Sequence, residues 1–128
     1  MRVISQAENR RINRARYNGE VLVETLRSAT SPKDPDVLHC HYDVGVVTNW
    51  HSHPGGQLIY VLSEAGVIGN EINGEVKLNR GELVSVPPVE RHYHGSTQDA
   101  ESEFLVLTWG VTNWDDVSPR PTSLAKQP

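Results

Sequence analysis

The chain has 128 residues, a net charge of −4 and 37% hydrophobic residues, which suits one domain with a modest core. The acidic balance argues against nucleic acid, whose binding rests on neutralising phosphates, and no apolar run approaches the ~20 residues of a membrane span. No apolar leader core follows Met1, and the single cysteine, Cys40, has no partner for an internal disulfide, so the expectation is a cytoplasmic protein.

Arg10, Arg11, Arg14 and Arg16 crowd the first stretch, which reads as a solvated N-terminal arm or edge over residues 1–18. From residue 20 to 110 the pattern is that of short strands separated by turns. "EVLVETL" (20–26) alternates and is rich in Val and Thr, and "DVLHCHYDV" (36–44) is a second strand. "GQLIYVLSE" (56–64) is almost continuously apolar, as for a strand covered on both faces. Asn73-Gly74 predicts a two-residue hairpin, since both residue types tolerate positive φ. Asn79-Arg80-Gly81 makes a further turn before "ELVSV", which Pro87-Pro88 must end because proline donates nothing to a ladder. "EFLVLTWG" (103–110) is the last strand, and the tail (111–128) is expected to pack Trp114 on the outside and then fray. Strands this short and numerous, with no linker or repeat, predict one all-β domain across 1–128, a sandwich or barrel.

All six histidines fall in His-x-His pairs: His39/His41, His51/His53 and His92/His94. On a strand, residues i and i+2 share a face, so each pair presents its imidazoles together. Imidazole is largely unprotonated at neutral pH and ligates divalent transition metals. Pro54-Gly55-Gly56 lets the chain turn sharply, so that Gln57 returns its amide oxygen toward His51 and His53. The combination of two such pairs with this glutamine points to metal binding. His39 and His41 alternate with Leu38 and Cys40; if those face the barrel, the two histidines face away, toward solvent or a subunit contact. Cys40 reads as a small buried wall residue, and Trp50 and Trp109 as packing residues.

The arrangement resembles the two-motif signature of the cupin superfamily. The first motif reads Gly45, "VVTNW", His51-Ser52-His53, "PGG", Gln57; the second reads Gly81, "ELVSV", Pro87-Pro88-Val89, "ER", His92. Gln57 stands where glutamate is usual, Glu64 where a glycine often closes the first motif, and Val89 where the second motif has glycine. The resemblance implies a single-domain jelly-roll barrel with one divalent metal held by His51, His53, Gln57 and His92. The similarity is greatest to small cupins with a three-His, one-Gln site, manganese first and Fe²⁺, Co²⁺, Ni²⁺ or Zn²⁺ as alternatives. That group includes cupin hydroxynitrile lyases and domains near carboxymuconolactone decarboxylases. Such lyases carry an extra pocket histidine on the strand after the second motif. Phe104 stands there in this chain, and the inward phase Phe104, Val106, Thr108 holds no ionisable group, which speaks against cyanohydrin cleavage. A homodimer, with paired outer sheets and an exchanged N-terminal strand, is the implied assembly.

A neutral ligand set leaves the full +2 charge on the ion and makes it attractive to substrate oxygens. Four protein ligands on an octahedral ion leave two positions open, the condition of a working site. His94 shares the face of His92 and offers a fifth ligand, a general acid or base, or a hydrogen-bonded wall residue. The pocket walls expected are Leu38, Cys40, Phe104, Val106 and Thr108. The functional expectation is a metal-dependent lyase, decarboxylase or isomerase acting on a small oxygen-bearing molecule, with the metal as Lewis acid and His94 as acid/base. An Fe²⁺ dioxygenase and a non-catalytic small-molecule or metal sensor are the alternatives.

Overall fold

The computed structural model describes residues 1–121, none of them helical; none of the described residues forms a helix long and apolar enough to cross a membrane. The strands are β1 (Asn9–Asn13), β2 (Val21–Arg27), β3 (Asp36–Tyr42), β4 (His51–Ser52), β5 (Gln57–Val61), β6 (Ala65–Asn70), β7 (Gly74–Asn79), β8 (Leu83–Val86), β9 (His92–Gly95), β10 (Ser102–Thr108) and β11 (Asn113–Trp114). They form two antiparallel sheets, ordered β1-β2-β3-β10-β5-β8 and β11-β4-β9-β6-β7. This all-β, two-sheet jelly roll is the expected fold class.

Alternation decides which side chains enter. On β10, Ser102, Phe104, Val106 and Thr108 are buried and the residues between them are not. Val21 and Val23 of β2, Cys40 and Tyr42 of β3, and Ile59 and Val61 of β5 join Phe104 and Val106 in the core between the sheets. Burying a side chain of this size contributes roughly 1.5–3 kcal/mol. Gly66 of β6 faces Phe104 across the barrel, and a Cβ there would overlap the phenyl ring; glycine therefore allows the small sheet to close on that ring.

A second cluster, Val47, Val67 and Tyr93 with Trp50 against it, covers the other face of the small sheet. The Trp50 and Tyr93 rings meet edge to face at 4.9 Å, and the Arg91 guanidinium lies 4.4 Å from the Trp50 centroid. With Trp50 held outside, alternation turns His51 inward.

Two local expectations need correction. The segment 56–64 is covered on one face only: Gln57, Ile59 and Val61 are buried, whereas Tyr60 and Leu62 are exposed. The β6–β7 connection is Glu71–Asn73 rather than a two-residue turn, with Asn70 paired to Gly74; only Gly74 takes positive φ, and Asn73 donates its backbone N–H to the Asn70 side chain at 2.6 Å. The N-terminal stretch forms an exposed edge: β1 stands at the end of the larger sheet and pairs with β2 from Asn9↔Thr25 to Asn13↔Val21.

Candidate metal centre

The cluster is built at the mouth of the barrel. His51 on β4 pairs directly with His92 on β9, which brings two residues far apart in sequence into one cross-strand row. After His53 the chain reverses through Gly55 and Gly56. Gly56 has φ +85° and no room for a Cβ beside the Val86 carbonyl, so glycine is required. The reversal starts β5, and Gln57 is its first inward residue. The ring centroids of His51 and His92 lie 4.3 Å apart, those of His51 and His53 4.9 Å and those of His53 and His92 5.3 Å. One ring nitrogen from each of the three lies within 4.8 Å of the others.

The outer nitrogens are already engaged. His51 Nδ1 donates to the Asn49 carbonyl at 2.8 Å, and His92 Nδ1 donates to the Glu90 carbonyl at 2.9 Å. His53 Nδ1 meets the Thr112 hydroxyl at 3.0 Å. A carbonyl only accepts, so His51 and His92 carry their protons on Nδ1 and direct an Nε2 lone pair inward. His53 Nε2 is buried with no partner. Gln57 donates its Nε2–H to Thr108 Oγ1 at 2.9 Å, leaving Oε1 3.0 Å from His92 Nε2. Two lone pairs then face each other, an arrangement that a cation between them makes favourable. Outer partners that set tautomer and orientation are what metal-ligating histidines need, so these four side chains fit a divalent ion.

Electrostatics agree. Burial lowers the pKa of His51 well below the ordinary histidine value, and the neighbouring His92 lowers it further. Burial and the His92 charge bring His53 down to about 4. Burial depresses His92 as well. All three are therefore neutral at physiological pH, the form that ligates.

His94 lies beside this triad and is not one of the three whose nitrogens converge; its centroid is 5.3 Å from that of His51 and 5.7 Å from that of His92. Its Nδ1 is 3.1 Å from the Tyr42 hydroxyl, and its Nε2 is buried without a partner. Burial and the three histidine neighbours hold its pKa well below the ordinary value. Tyr42 stays a phenol because burial raises its pKa well above 10, and burial pushes the Cys40 thiol up to about 12, so Cys40 lacks thiolate character.

A cavity of about 90 Å³ opens on the cluster, lined among others by Leu38, Cys40, Tyr42, Val106, Thr108 and His94. Phe104 is absent from this lining; it is fully buried behind His94, at 5.9 Å between centroids. Trp114 corrects the expectation of an outer packing residue: β11 pairs with β4 at Trp114↔His51, the indole lies 4.6 Å from the His51 ring, and it lines the cavity with Tyr17. The frayed end proposed for the tail lies outside the described residues. The alternation that turned Cys40 inward also signalled Tyr42, whereas nothing local signalled Trp114, Tyr17 or Thr112. A larger depression of about 430 Å³ between β7 and β8 reaches His92 from behind, but His92 is fully buried and turns its Nε2 to Gln57.

Val89 is a further departure with a structural consequence. It takes φ +63°, a left-handed conformation that a β-branched residue resists, and its N–H bonds the His53 carbonyl at 2.9 Å. Val89→Gly is expected to stabilise the protein by about 1 kcal/mol, read as a higher urea midpoint; an unchanged or lower midpoint would remove the strain argument.

On the outer face, His39 of β3 bridges Glu24 of β2 at 2.7 Å and Glu103 of β10 at 2.5 Å, and His41 lies 3.5 Å from Glu101. Burial alone lowers the His39 pKa, but the hydrogen bonds and charges of the two carboxylates outweigh it and raise the value. A raised folded-state pKa contributes stability that is complete below about pH 6.5 and lost as pH rises through the folded value. The inward histidines act oppositely: their depressed values let the unfolded chain bind protons first. Stability of the metal-free protein is therefore lost as pH falls from about 6.5 toward about 4, the value for His53. Denaturation midpoints across pH 4–9 should show both limbs, and His39→Gln should flatten the alkaline limb alone. A variant that alters the acid limb instead would contradict this assignment.

Comparison with known proteins places this geometry in context. A family model described as "Cupin domain" matches residues 38–108. An (R)-mandelonitrile lyase of Granulicella tundricola is 29% identical over 91 residues, covering 71% of this chain and 70% of that protein. A cupin-like protein of Thermotoga maritima superposes with a TM-score of 0.78 at 25% identity, covering 91% of this chain and 90% of the other. A predicted oxalate decarboxylase of the same organism superposes with a TM-score of 0.68 at 22% identity over 84% of this chain and 95% of the other, a likeness of fold.

Proposed function

The chain belongs to the cupin domain family, and on that premise we propose a metal-dependent enzyme of lyase, decarboxylase or isomerase type acting on a small oxygen-bearing organic molecule. The observation that carries this reading is the convergence of three buried imidazoles whose outer nitrogens are engaged, beside a fourth with a free, buried Nε2. His51, His53, His92 and the Gln57 oxygen would hold the ion, manganese first. When bound, the ion supplies a Lewis acid that stabilises negative charge developing on a substrate oxygen.

The chain's own groups do the rest. His94 Nε2 accepts the proton that leaves the substrate and returns it to the product. Tyr42 holds the His94 ring by its Nδ1. With Nδ1–H donating to the Tyr42 oxygen, Nε2 keeps its lone pair toward the cavity, and burial keeps that lone pair unprotonated at neutral pH. Leu38, Cys40 and Val106 exclude water on the apolar side. The similarity to a mandelonitrile lyase supports a lyase class. The absence of an ionisable group at Phe104 directs the reading away from cyanohydrin cleavage itself. A homodimer fits the outer edge of β1, which pairs only with β2 within the described chain.

Untagged protein loaded with each divalent ion in turn tests the proposal against a panel of small carbonyl and hydroxy acids. Turnover is expected to proceed at the same rate with and without oxygen. A rate that requires oxygen would replace this reading with the Fe²⁺ dioxygenase, and metal-saturated protein that binds panel members without converting any would replace it with the sensor.

A further inference from the structure

Beyond reaction type, the cavity limits what can be transformed, an inference that rests on the metal-centre reading above. The space in front of the histidine cluster is about 90 Å³. A buried cavity of ~150 Å³ is of the size that accepts a benzene ring, and pockets for drug-sized ligands begin near ~300 Å³. An ion would take a further share.

The walls are not free to retreat. Leu38 and Cys40 lie on β3 and Val106 and Thr108 on β10, which pair along their whole lengths, and β10 is paired on its other side with β5. Two aromatics narrow the space further. Trp114 is fixed by its pairing with His51 and lies beneath Arg16, whose Cζ is 5.7 Å from the indole. Tyr17 bridges to Thr48 and meets Trp114 edge to face at 6.0 Å. The apolar walls Leu38 and Val106 suit a hydrocarbon portion rather than a polyol.

We infer that the site takes a short, non-aromatic carbonyl or hydroxy compound of about five or six heavy atoms, and that it excludes phenyl-bearing analogues. This separates the chain's substrate class from that in the name of its mandelonitrile lyase relative.

The test uses full-length protein loaded with Co²⁺, whose visible absorption reports ligand binding without turnover. Pyruvate and lactate are titrated against phenylglyoxylate and mandelate, which carry the same reacting groups on a benzene ring. The methyl compounds are expected to perturb the spectrum with at least tenfold tighter dissociation constants than the phenyl ones. Leu38→Ala, and separately Val106→Ala, should narrow the gap by tightening the phenyl compounds relative to pyruvate in the same variant; two variants guard against misfolding of one. Equal binding of both classes, perturbation by neither, or a gap unmoved in two folded variants would overturn the inference and leave the metal reading standing. Absence of Co²⁺ bands that depend on His51 would overturn both.

Discussion

His51→Ala is expected to abolish specific binding of a divalent ion, with an affinity loss of more than about a hundredfold, since removing even an outer partner of a ligand costs ~10–100-fold. The reason is geometric. His51 is the middle member of the row Trp114, His51, His92, and its Nδ1 is committed to the Asn49 carbonyl, so its Nε2 lone pair is oriented toward the centre and alanine removes one of the three convergent nitrogens. Stability supplies a second readout. Metal at a thousand times its dissociation constant stabilises the native state by about 4 kcal/mol, which for a chain of this size is a rise in Tm on the order of 10 °C. The wild-type protein should show that rise with Mn²⁺, and His51→Ala should show none. Equal metal content in the two proteins, measured by elemental analysis on untagged material, would refute the assignment of the centre.

His94→Ala is expected to lower turnover by about 10²–10⁴-fold, the range for loss of a general acid or base, while the metal stoichiometry stays at the wild-type value. The two halves of this expectation separate the roles that the sequence leaves open. A fifth ligand would lose metal affinity together with activity. A wall residue would cost stability with little effect on kcat. The geometry favours the proton-transfer role because the His94 nitrogen is not among the three that converge, yet its Nε2 is buried and unpartnered on the cavity wall. Tyr42→Phe should reproduce part of the loss, since the ring would keep its packing against Phe104 but lose the hydroxyl that fixes His94.

Much of the site was readable along the chain. The His51/His53 spacing and the glycines that return Gln57 are local features, set by strand alternation and by backbone freedom within seven residues. The inward phase of Val106 and Thr108 was equally local, and Thr108 proved to be the residue that orients the Gln57 amide. Phe104 shared that phase and yet lies behind His94 instead of on the cavity, because alternation assigns a face and not a depth. The turn at Asn73-Gly74 was located correctly and given the wrong length, since the register of β6 with β7 decides how many residues remain unpaired.

The all-β class and the inward phase of β10 follow from a period of two, and the candidate donor set from residue type, so these are legible in the chain alone. Packing of the sheets sets the rest: Trp114 against His51, Tyr42 on His94, the left-handed backbone at Val89 and the space of about 90 Å³ before the histidines. Those facts join residues distant along the chain, as the Val89 N–H joins the His53 carbonyl, or depend on how closely two sheets approach. They exist only once the barrel has closed and hydrophobic burial has fixed the distance between its walls.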